Sequence, residues 1–204
     1  MVPYPVSYSI EKPARYSRLQ LLVRLIALVA LGILGLSLGL LYLVAFLLLP
    51  AYAAARLSGR DAETYFREDA PGLVLGLAWF ASIYAWFGLV TDQLPVRASE
   101  KQAHIAVEPM GTPTAASALW RLLLGFPSAL VLAFLGWLGG LVWLWSVLRV
   151  VLFEHVGETA HAYLTGLQRW SVRLLAYQAS LVDVYPPFSF EDAPSALPQA
   201  HSAP

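Results

Sequence analysis

Leu25 to Ala55 is a run of 31 residues without a charge, dominated by Leu, Val and Ala and closed by Arg24 and Arg56. A helix rises about 1.5 Å per residue and a bilayer's hydrocarbon core is about 30 Å thick, so about 20 residues cross it. Two further uncharged runs follow, 22 residues from Ala70 to Thr91 and 27 from Leu122 to Leu148. Trp79, Tyr84 and Trp86 suit the headgroup level in the second. The third exceeds the bilayer and must tilt or project, with Pro127 placed to kink its start. With 58% hydrophobic and 13% charged residues, the chain lacks the polar inventory of a water-soluble domain. The expected fold is all-α and integral to a membrane. Ala51-Tyr52-Ala53 resembles a signal cleavage site, but a signal core is only about 7–15 residues long, so the first run reads as a retained anchor.

A fourth candidate, Ala160 to Val182, is interrupted by Arg169 and Arg173, each costing about 2.5–3.5 kcal/mol at mid-membrane on insertion scales. On a helical projection His161, Thr165, Gln168, Arg169, Arg173 and Ser180 share one side, while Tyr163, Leu167, Trp170, Leu174, Tyr177 and Leu181 share the other. Such a helix either crosses with its arginine face turned into a bundle or lies in the interface.

The chain reads as two tandem copies. Ile10-Glu11-Lys12-Pro13 recurs as Val107-Glu108-Pro109 and Arg24 as Arg121, both offset by 97, while Gly59 and Tyr65 recur as Gly157 and Tyr163, offset by 98. Leu89 to Pro95 likewise parallels Ser180 to Pro186. The first repeat covers residues 1–99, with helices over about 19–56 and 70–91. The second covers 100–190, with helices over about 118–153 and 158–182. Residues 191–204, rich in Pro, Ala and Ser, form an expected disordered tail. The apolar counterpart at 70–91 favours crossing for the fourth helix, giving four membrane helices as two parallel hairpins related by an axis along the membrane normal. Tyr4 to Ile10 and His104 to Glu108 alternate with period two and suggest short strands, with Pro3, Pro5, Pro186 and Pro187 confining such stretches to edges.

Lys12, Arg15, Arg18 and Arg24 before the first helix, and Arg97, Lys101 and Arg121 between the second and third, favour a cytoplasmic amino terminus in a multi-pass protein. Thirteen basic and thirteen acidic residues leave no basic field for nucleic acid. The absence of cysteine excludes disulfides, thiolate nucleophiles and cysteine-ligated metals.

Little chemistry stands out. Glu158 and His161 have the i, i+3 spacing of two ligands on one helical face, but the duplicated positions hold Arg60 and Glu63; an interfacial polar loop is the simpler reading. No metal or other cofactor is expected. Gly35 and Gly39, Gly72 and Gly76, and Gly136 and Gly140 are each spaced by four, which lets helices approach closely in lipid, within this chain or against a partner. Arg169, Arg173, Gln168 and Asp183 are candidates for binding lipid or a partner, or for lining a polar path. No Ser/His/Asp set, phosphate-cradling loop or paired intramembrane carboxylate appears, so an enzyme is not expected.

Gly157, Tyr163, Gly166, Arg169-Trp170, Arg173, Ala176-Tyr177, Asp183 and Tyr185-Pro186-Pro187-Phe188-Ser189 resemble the bacterial membrane family called domain of unknown function 4389, over about residues 119–190. In the first copy Gly59 and Asp92 persist, but Pro95-Val96 replaces the Tyr-Pro-Pro-Phe ending and no Arg-Trp pair appears. The resemblance implies a bacterial inner-membrane protein and assigns no activity. The expected role is a non-enzymatic accessory or assembly protein, in contact with lipid and with a membrane-protein partner or a second copy. The alternatives are a small transporter and, last, an intramembrane enzyme.

Overall fold

A computed structural model describes residues 4–95 and 102–191. Pro3, Arg97, Lys101 and the expected tail from residue 192 onward lie outside the described residues. The elements run β1 (Val6–Ser9), α1 (Arg18–Ile33), α2 (Leu38–Leu57), α3 (Ala62–Glu68), α4 (Ala70–Phe87), β2 (His104–Val107), α5 (Ala115–Phe153) and α6 (Glu158–Gln178). By length and composition α2, α4 and α5 are able to cross a membrane.

The single helix expected over 19–56 is instead two. Gly35 adopts a left-handed φ of +71°. Leu36 N–H then donates to Leu31 O (2.8 Å) and Gly35 N–H to Gly32 O (3.0 Å), closing the carbonyl end of α1. Two residues on, the Ser37 hydroxyl accepts from Leu40 N–H and opens α2. Leu-Gly-Leu-Ser thus ends one helix and starts another inside an unbroken apolar run. α5 has no such pair of signals and continues through Pro127 for 39 residues. The helix expected to reach 91 stops at Phe87, and the one expected to reach 182 stops at Gln178. In both, a residue just beyond the end turns left-handed, Leu89 at φ 58° and Ser180 at φ 56°.

The two strands pair antiparallel with Tyr8 opposite Ile105 and Ser9 opposite His104. Val6 and Tyr8 point inward and are fully covered, while Ser7, Ser9, Glu11, His104, Ala106 and Glu108 face outward. The sheet packs on α4 and α6, and α6 rests in turn on α2 and α5. Three layers result, with α6 in the middle. Tertiary burial overrides its low hydropathy: Leu174, Leu175, Ala176 and Gln178 are inaccessible.

The long helices are antiparallel, not the parallel hairpins the repeat suggests. Ala54 and Leu57 near the end of α2 cluster with Ala118 at the start of α5. At the other end Tyr16 N–H donates to Glu154 O (2.8 Å), joining the approach to α1 with the end of α5.

Candidate functional site

Two buried arginines anchor the ends of α4 and α6. Arg24, about two turns beyond the Ser17 cap of α1, is fully buried. It donates to Thr91 O (3.1 Å), lies 3.6 Å from Asp92 and stands 4.9 Å from the Trp86 ring. Asp92 also accepts from Ser17 N–H (2.8 Å). Arg121, equally spaced from the Thr114 cap of α5, donates to Tyr177 O (3.1 Å), to Val182 O and to Asp183, 4.7 Å from the Tyr177 ring. Asp183 accepts from Thr112 N–H (3.1 Å). In each place one guanidinium gathers main-chain carbonyl oxygen, a carboxylate and an aromatic face at the turn that follows a helix, next to a left-handed residue, Leu89 or Ser180.

Burial lifts the Asp92 carboxyl above its usual range, which the Ser17 N–H and Arg24 only partly offset. A raised carboxyl pKa favours folding below the ordinary value of about 4 and loses that contribution as pH rises through the raised value. Asp92→Asn is therefore expected to show a flatter dependence of thermal stability in detergent on pH just above about 4. Parallel profiles for variant and parent would contradict this.

Gln168, Arg169 and Arg173 form a strip on α6, covered by the amino-terminal strand and the carboxyl-terminal segment. Tyr8 OH donates to Gln168 Oε1 (2.6 Å), and Arg169 donates to Tyr8 O (3.4 Å) and Phe190 O (2.5 Å). Arg173 donates to Ser189 O (3.4 Å) and Glu191 O (2.9 Å), with its guanidinium 5.6 Å from the Tyr4 ring. Asp183 does not join this strip; it belongs to the Arg121 anchor. Burial also pushes the Tyr8 hydroxyl up, keeping it a donor. Glu158 and His161 point to different partners: Glu158 pairs with Lys12, which holds its carboxyl below the usual range, and His161 Nε2 donates to Val90 O (3.0 Å). Among the described residues no group of three or more His, Asp or Glu is placed to hold a metal ion.

The glycine pairs are placed differently from an internal helix seam. A Cβ on Gly35, Gly72, Gly76, Gly136 or Gly140 would meet nothing within 4 Å, and one on Gly39 would meet only Ser37 Oγ at 3.9 Å. Close approach falls on Gly125, against Gln178 and 3.3 Å from the Phe46 ring, and on Gly139, 3.1 Å from Leu167. Gly39, Gly136 and Gly140 instead line an open apolar cavity of about 810 Å³ between α2, α4, α5 and α6, where Gln168 is a polar exception.

The described residues therefore combine three helices long and apolar enough to cross a membrane with buried arginines bonded to main-chain carbonyls. Residues 115–189 match the model of the family described as Domain of unknown function (DUF4389), the family that the motifs from Gly157 to Ser189 resemble. No curated protein and no solved structure matches the chain.

The anchors at Arg24 and Arg121 are the functional-looking groups that charge cost alone does not single out. Their recurrence at an offset of 97, with Asp92 and Asp183 offset by 91, is the signal that points to them.

Proposed function

We propose that the chain is a non-enzymatic accessory or assembly protein of a bacterial inner membrane, which displays the outer face of its β1–β2 sheet to a protein partner on the cytoplasmic side. The observation that carries this is the use made of the polar residues. Gln168, Arg169 and Arg173 are bonded to strand β1 and to residues 189–191, so they fasten the sheet to the helices. On and beside the sheet, Ser7, Ser9, Glu11, His104 and Glu108 are left open. Lys12, Arg15 and Arg18, which follow β1 in the sequence, support a cytoplasmic placement. A transport role has less to rest on, because a path lined by Arg169 and Arg173 needs guanidinium groups turned to water rather than to carbonyls.

The duplication is part of the same reading. It is supported by Tyr8 facing Ile105, offset by 97, by the Ser17 and Thr114 caps at the same offset, and by Leu89 and Ser180, both left-handed, offset by 91.

The test joins two measurements. Ser7→Arg with Ala106→Arg, on the open face, is expected to abolish cross-linked recovery of a stoichiometric membrane partner and to leave thermal stability unchanged. Recovery of the chain alone, together with solute flux in reconstituted vesicles that Gln168→Leu removes, would replace this reading with transport.

A further inference from the structure

We infer that the molecule lies along one leaflet of the bilayer, with α2 and α5 immersed in acyl chains and the sheet in water, rather than crossing from one face to the other. This rests on membrane residence as read above and departs from the multi-pass arrangement that the hydropathy suggests.

The position of the sheet decides it. Tyr8, in the middle of β1, bonds Gln168 in the middle of α6, and the adjacent Leu167 packs on Gly139 near the middle of α5. Tyr163 OH donates to Leu135 O (2.8 Å) one turn away. The centres of strand, helix and helix are therefore stacked. The segment from Tyr4 to Lys12 that contains β1 also runs along α6, with Tyr4 beside Arg173 and Lys12 paired with Glu158. If α5 stood upright, β1 and β2 would stand beside it at mid-bilayer. Ser7, Ser9, Glu11, His104 and Glu108 point outward there, and a two-stranded sheet leaves an unpaired backbone edge on each side. Hydrocarbon does not tolerate an open sheet edge, and an exposed carboxylate adds several kcal/mol.

Length points the same way. Exposed apolar side chains on α5 extend from Leu119 to Phe153, about 51 Å at the helical rise and well beyond a hydrocarbon core of about 30 Å. Laid flat, this length is unrestricted, and a helix layer about 10 Å deep fits within half of that core. Trp137, at the middle of α5 and 66% exposed, then faces acyl chains on the side away from the sheet.

The chain has no cysteine, so single reporters are unambiguous. Ser58→Cys follows α2 and His155→Cys follows α5, at opposite ends of the antiparallel helices, while Ser7→Cys lies on the sheet; all three positions are exposed. Each full-length variant is treated with a membrane-impermeant maleimide in sealed membrane vesicles of both orientations, with Arg60→Cys and Ser9→Cys as repeats. The expected result is labelling of all three from one face and of none from the other. Labelling of Ser58→Cys and His155→Cys from opposite faces, or no labelling of Ser7→Cys and Ser9→Cys from either, overturns the leaflet placement and leaves membrane residence intact. Protein in the supernatant of pelleted vesicles overturns both.

Discussion

Arg121→Met is expected to lower unfolding stability by about 3 kcal/mol, read as the loss of denaturation midpoint in detergent micelles. The guanidinium contributes at once to Tyr177 O, Val182 O, Asp183 and the Tyr177 ring. Its removal takes from Val182 O the arginine donor and leaves Tyr177 O with the Ser180 N–H (3.0 Å), in surroundings where an unmet acceptor costs about 1–3 kcal/mol and Asp183 loses its cation as well. The contrast with Arg24→Met makes the expectation sharp. Arg24 is at least as buried, but among the described residues its Nε and Nη1 have no hydrogen-bond partner, where Arg121 lacks one at Nε alone, and its approach to Asp92 is long. Desolvation is therefore offset less fully there, and an apolar side chain of similar length recovers more of the loss. The smaller effect belongs to Arg24→Met. A loss below about 1 kcal/mol for Arg121→Met, the value of a single neutral hydrogen bond, would show that the anchor does not hold the end of α6.

Gly125→Val and Gly136→Val are expected to separate by about 1–3 kcal/mol, although both add the same side chain to the same helix. At Gly125 a Cβ meets the Gln178 amide and the Phe46 ring, so α5 must move from α6 and α2 or strain them. Gln178 donates to Arg121 O (3.0 Å), and its displacement disturbs the arginine anchor as well. At Gly136 a Cβ meets nothing within 4 Å. Thermal unfolding of the two variants in one detergent checks the difference. Equal losses would move the contact between α5 and α6 elsewhere along the helix.

Hydropathy makes the apolar helices legible, because a charge-free run longer than a bilayer has few other uses. It does not reveal the break at Gly35, since ending a helix requires only a left-handed residue and a cap, and Gly35 and Ser37 provide both without a charge. The short alternation at Tyr8 and Ile105 is enough to place the two strands. Direction is harder. The likeness of the two halves favours parallel hairpins, and only contacts such as Tyr16 with Glu154 show the long helices to be antiparallel. The cost of Arg169 and Arg173 is visible in the sequence, but their partners include the carbonyls of residues 8, 189, 190 and 191, and every residue has a carbonyl. Spaced glycines leave two readings open for a related reason. Gly-x-x-x-Gly reports that a helix has a smooth side, not that a neighbour occupies it.

The union of Tyr8 with Gln168, 160 residues apart, sets an order on biosynthesis. The amino-terminal arm leaves the ribosome first and meets β2 only after about half the chain has followed. Its bonds to Arg169 wait for the last helix. During translation that arm has nothing to dock on, while α1 and α2 are already partitioning into lipid; non-local pairing of this kind completes late. α6 therefore fastens the arm, and a ribosome stalled before Glu158 leaves it unfastened.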